Sequence, residues 1–187
     1  MRVLFAPLVL GLSIAVGSPA ANAPLETEIA KLLDAMGWPE MIRVALQRGD
    51  LQKAAKAKLP GPEKAACIDS QYTEQRVLAQ IAAGYAEVYT DPTIVAETTR
   101  FMASPGAKRI LAAVAARAPA VGASAAYEEG KASAWNSLKP EERDRFIAFA
   151  NSPAGKAYGE VRSKQTQAHQ RRLALLSSEI VERCSAK

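Results

Sequence analysis

Two stretches of this chain, PTIVAETTRFMASPGAK at 92–108 and PEERDRFIAFANSPAGK at 140–156, align without a gap at an offset of 48 residues. Pro92 pairs with Pro140, Phe101 with Phe149, Ser104-Pro105 with Ser152-Pro153, and Lys108 with Lys156. A fixed period of this size is the mark of a repeated supersecondary unit. Each copy reads as a proline-started helix of about three turns carrying an inward Phe near its end. Ser then serves as N-cap and Pro as first residue of a second helix. Gly106 and Gly155 fall in that new first turn, where the preceding helix is expected to pass close by. Two such corners in one chain predict an all-α, compact helical bundle with an internally repeated helix-corner-helix element.

The rest of the chain agrees with that class. Aromatics make up only 6% while alanine is abundant, a bias toward helices that pack closely through small side chains. Leu25, Ile29, Leu32, Leu33 and Met36 lie on one helical face, closed by Gly37 where a left-handed cap is wanted. Trp38-Pro39 starts a second helix, with Leu51 as a continuation past Gly49 and Lys53, Lys56 and Lys58 near its end. Pro60-Gly61-Pro62 breaks the chain. A single long helix is expected over 63–90, ended by the Asp91-Pro92 cap. Pro119 is expected to break or kink the helix after the first corner. An Ala-rich helix follows to about Trp135, and a long last helix runs from Pro153 to about Cys184. Its polar middle, 163–172, either faces water or lines a groove; water is the simpler expectation.

Arg2, an apolar run over residues 3–16 and Ala21-Asn22-Ala23 together have the form of a secretory signal peptide. Pro24 directly after Ala23 disfavours a cut there, so Ala20 is the other cleavage position. The alternative is an uncleaved segment that anchors the protein to the membrane. Export leaves one domain over 24–187 in the periplasm, with 23 Lys and Arg against 19 Asp and Glu. So mild a basic excess lacks the dense stripe that nucleic acid requires. Cys67 and Cys184 both lie in the mature part, and an even count in an oxidising compartment predicts a disulfide. The other reading is two unpaired thiols.

The run Phe149-Ala150-Asn151-Ser152-Pro153-Ala154-Gly155-Lys156, after Lys139-Pro140-Glu141-Glu142, resembles a bacterial periplasmic family known as domain of unknown function 2059. The resemblance covers roughly 130–175 and, more weakly, 25–50, where Leu32 to Gly37 read LLDAMG. Ala150 stands where an aromatic is common in the family, and Lys139 where a hydroxyl cap is typical. The resemblance implies a helical periplasmic protein and brings no catalytic residues.

Chemistry is sparse. His169 is the only histidine, four residues before Leu173, and is expected to be structural, with its ring along an apolar edge, or to lie at the surface. The adjacent pairs Glu128-Glu129 and Glu141-Glu142 point to different sides of a helix, so neither forms a preorganised dyad. Lys108 and Lys156 are either paired anion ligands beside N-terminal amides or, more simply, solvated braces of their corners. No cofactor, metal or catalytic residue is implied. The expected function is a non-enzymatic protein-binding or structural envelope module, with another envelope protein as the partner. The alternatives are a small apolar ligand or lipid held in a cavity between helices, and, behind both, an enzyme with an unfamiliar site.

Overall fold

A computed structural model describes residues 23–121 and 123–186. The signal-peptide reading therefore lies outside the described residues, apart from Ala23, where the first helix begins. Among the described residues every regular element is an α-helix: α1 (Ala23–Ala35), α2 (Trp38–Arg48), α3 (Lys53–Lys58), α4 (Pro62–Gln71), α5 (Glu74–Ala86), α6 (Pro92–Met102), α7 (Pro105–Val121), α8 (Ala123–Ser137), α9 (Pro140–Asn151) and α10 (Pro153–Ser185). The all-α expectation holds.

The last helix is the spine. With 33 residues it is about 50 Å long, and α3, α4, α5, α6 and α9 all lean on it. The main core gathers Ile29, Leu32 and Leu33 of α1, Val77, Ile81 and Tyr85 of α5, Val95 of α6, and Leu176 and Ile180 of α10. A second, smaller core of Ile110, Ala134 and Leu138 holds α7 and α8 together as a hairpin. The hairpin backbones touch at Gly130, where a Cβ would lie 2.7 Å from both Cα and N of Val114.

Local chemistry accounts for the boundaries. Gly37 and Gly49 both take left-handed backbone, φ +76° and +75°, which glycine adopts with the least strain. Gly49 ends α2, so Leu51 and the following lysines belong to turns and to a separate α3, not to a continuation of α2. The single helix expected over 63–90 is two. Thr73 interrupts it, its Oγ1 accepting from Arg76 N at 3.3 Å as an N-cap, while Arg76 Nη1 donates back to Gln71 O at 3.0 Å and closes α4. A threonine cap and an arginine one turn later outweigh the intrinsic continuity of the segment. The end comes at Ala86, and Asp91 Oδ1 accepts from Thr93 N at 2.8 Å to open α6. Pro119 does not end α7, which runs on to Val121.

Cys67 and Cys184 are bonded, with Cα atoms 5.9 Å apart, inside the range a disulfide needs. The bond joins α4 to the C-terminal end of α10, and Lys64 Nζ donates to Cys184 O at 3.0 Å beside it.

Candidate functional site: an aromatic cleft at the helix corners

The segments 92–108 and 140–156 each form a proline-started helix, a serine corner and a second proline-started helix. At the second corner Ser152 Oγ accepts from Gly155 N at 3.1 Å and donates to Phe149 O at 2.8 Å. At the first, Ser104 Oγ accepts from Ala107 N at 3.4 Å, and Ala103 as well as Ser104 lies between the helices. The two glycines answer different needs. A Cβ on Gly155 would stand 1.8 Å from Phe149 O, so the expected close pass of the preceding helix occurs there. On Gly106 it would instead meet Glu142 Cβ at 3.2 Å and Phe146 Cε2 at 3.3 Å, both on α9 and not on the preceding α6.

These corners bring their phenylalanines together. Phe101 and Phe149 stack with centroids 3.9 Å apart and planes 3° from parallel. Phe146 meets Phe101 edge-on at 4.7 Å, and Trp135 meets Phe146 edge-on at 5.8 Å. Tyr158 of α10 lies 6.4 Å from Phe149. Each such pair adds about 0.5–1.5 kcal/mol beyond area burial, so the cluster is a rigid wall. It encloses one side of an open cleft of about 350 Å³ between the base of the α7–α8 hairpin and α6, α9 and α10. No lining residue carries a charge. Ile147, at 53% exposure, extends the apolar surface to the outer lip. Two further grooves, one with Glu26, Glu87 and Arg172 and one with Asp50 and Lys58, include charged residues of both signs.

Glu142 ties α9 to α7. It is buried, its Oε2 accepts from Lys139 N at 2.9 Å, and its Oε1 pairs with Arg109 of α7. The Lys139 amide and then Arg109 hold its carboxyl below the usual carboxylate range. Glu141 and Glu142 are thus not a dyad; the second is a strut between hairpin and body.

Sequence reading found Phe101, Phe149, Ser104, Ser152, Pro105, Pro153 and Gly155, all of which stand at the corners. Lys108 and Lys156 are both exposed. It missed Trp135, Phe146 and Tyr158 as wall members, because nothing local says which of several helix aromatics share a wall. Cys67 and Cys184 lie at the opposite end of α10 from the cleft.

The polar middle of α10 does not simply face water. Gln165, Ala168 and His169 are buried. A Cβ on Gly84 of α5 would sit 2.7 Å from His169 Cδ2, so this glycine admits the imidazole. The ring lies 4.8 Å from Tyr85 and meets Trp38 edge-on at 5.5 Å. Trp38 Nε1 donates to Tyr85 Oη at 3.2 Å, and that hydroxyl donates to Met36 Sδ at 3.3 Å. His169 Nε2 has no protein partner. The imidazole is thus packed in an aromatic pocket and is not at the surface. Among the described residues no group of three or more His, Cys, Asp or Glu could hold a metal.

Burial pushes the His169 imidazole below its ordinary value of 6.5. The unfolded chain therefore takes up the proton first, and stability is expected to fall as pH drops below about 6.5, levelling off once the folded histidine also titrates. Glu87, held low chiefly by Arg172, and Glu142 lose their contributions only as pH falls below 4.5. Melting temperature from pH 7.5 to 5 should decline in the native protein and stay level in His169→Gln. Parallel curves would show that the imidazole is not buried neutral.

Against protein-family models, curated proteins and solved structures, the chain matches none.

Proposed function

We propose that the chain is an exported, non-catalytic binding protein that receives a small apolar group in the aromatic cleft. The observation that carries this is the cleft itself: about 350 Å³, walled by stacked and edge-on aromatic rings, without a charged lining residue. That volume stands at the lower end of the roughly 300–1,000 Å³ range of small-ligand sites. The N-terminal sequence, the family resemblance over 130–175 and the Cys67–Cys184 bond all suit a periplasmic location. No helix among the described residues is long and apolar enough to cross a membrane.

N-phenyl-1-naphthylamine, a neutral probe that brightens in apolar surroundings, tests the reading. It is expected to bind saturably at one site, and Ala150→Trp, which fills the cleft from an exposed lining position, should weaken it about tenfold, or about 1.4 kcal/mol. Absence of saturable binding would overturn the ligand reading, and binding indifferent to Ala150→Trp would remove the cleft from it.

The exposed lip at Ile147 favours a second reading, the docking of an apolar side chain from another envelope protein. A photo-crosslinker at position 147 should then give a discrete adduct in the cell envelope, and one at the equally apolar but distant Met41 should not.

A further inference from the structure

Resting on the apolar-ligand reading, we infer that the cleft takes a single-chain anionic amphiphile, a fatty carboxylate whose tail lies against the aromatic wall and whose head meets a basic lip. The argument is the distribution of charge around an uncharged lining. Arg100, Lys108, Arg109, Arg145 and Lys156 each directly adjoin a lining residue in sequence, and no Asp or Glu does. A residue one step along a helix is turned about 100° from its neighbour, so these positions lie on the helix faces next to the lining faces. Arg109 is engaged by Glu142. The other four are exposed. Lys108 also precedes the lining Leu111 by one turn, and Arg145 precedes the lining Phe149 by one turn.

The opposing charges are fewer. Glu97, Glu142 and Asp144 stand one turn from a lining residue, and of these Glu142 is held by Arg109 and the Lys139 amide. A cleft with low-dielectric walls and a rim of one predominant sign concentrates ions of the other sign. A neutral apolar molecule would gain nothing from that rim, and a cationic amphiphile would be repelled. The modest volume suits one acyl chain in preference to two. The same lip accounts for Lys108 and Lys156 as anion partners, a role for which each alone, on its own helix, has no support.

Competition against N-phenyl-1-naphthylamine on the disulfide-bonded protein decides the matter. Sodium octanoate, decanoate and dodecanoate, kept below their micelle concentrations, should displace the probe with affinities that rise about fourfold per methylene until the cleft is full. Decanoate should act at about tenfold lower concentration than decyltrimethylammonium in dilute buffer, and the gap should narrow in 0.5 M salt as the exposed charges are screened. Lys108→Glu with Lys156→Glu should abolish the preference for carboxylate, whereas Lys53→Glu with Lys58→Glu on α3, the same change in net charge elsewhere, should leave it. Equal displacement by the two head groups, or displacement only by an acidic apolar peptide, would overturn the amphiphile while leaving an apolar cleft. Failure of the probe itself to bind would overturn the apolar-ligand reading beneath it.

Discussion

Serine at both Cys67 and Cys184 is expected to lower the free energy of unfolding by about 4–5 kcal/mol. The bond joins residues 117 positions apart, so reduction returns to the unfolded chain the closure entropy of a very long loop. The native side adds to the loss. Cys184 is fully buried, packed into the main core with Ile180 and Ile68, and a serine hydroxyl there lacks the sulfur's match to its surroundings. A decrease of this size is comparable to the net stability of many domains. Urea unfolding of the native protein with and without reductant should show the same shift as the double variant. A shift under about 1 kcal/mol would mean that α4 and the end of α10 stay associated in the unfolded chain, contrary to the entropic argument.

Gly155→Ala is the second large effect, expected to cost about 3 kcal/mol or more. A methyl group there would stand 1.8 Å from Phe149 O and 2.6 Å from Phe149 C, which are backbone atoms and cannot rotate aside. The carbonyl is further held by Ser152, which donates to it from both Oγ, at 2.8 Å, and N, at 3.0 Å. The corner must open, and the Phe149 ring then leaves its stack on Phe101. Thermal unfolding measures the loss of stability, and N-phenyl-1-naphthylamine binding measures the loss of the wall. Gly159→Ala is the control one turn further along α10. Nothing lies within 4 Å of its Cβ position, so it should be neutral or raise stability by up to about 1 kcal/mol through helix propensity. Equal behaviour of the two alanine variants would contradict the corner geometry.

The contrast between these glycines shows how far the sequence could be read. Pro92, Asp91, Ser152 and Pro153 announce helix starts by themselves, because capping and the proline ring act within one turn. Gly37 announces a left-handed cap for the same local reason, and its φ of +76° agrees. Thr73 carried an equally local signal, a hydroxyl cap before Glu74, yet the flanking apolar positions over 63–90 masked it behind a single helical period. The aromatic wall had no local signal at all. Phe101, Trp135, Phe146, Phe149 and Tyr158 belong to four different helices, and their meeting depends on how α6, α8, α9 and α10 cross.

The burial of His169 is the clearest instance of that dependence. By composition the 163–172 stretch is polar, and a period count leaves it in solvent. Its depth is set by a residue 85 positions earlier: Gly84 lacks the Cβ that would collide with the imidazole, so α10 settles against α5. Pairing of distant helices through one missing side chain is invisible to any window on a single helix.

Sequence alone, then, determined the helical class, the two proline-started corners and the pairing partners available for a disulfide, since caps, turn glycines and period act over a few residues. Only the tertiary structure decided that the two phenylalanines stack on each other and that Phe146, Trp135 and Tyr158 complete their wall around one uncharged cleft. The physical reason is that helix crossings are chosen by the fit of whole surfaces, in which a glycine's absent methyl counts for as much as any side chain present.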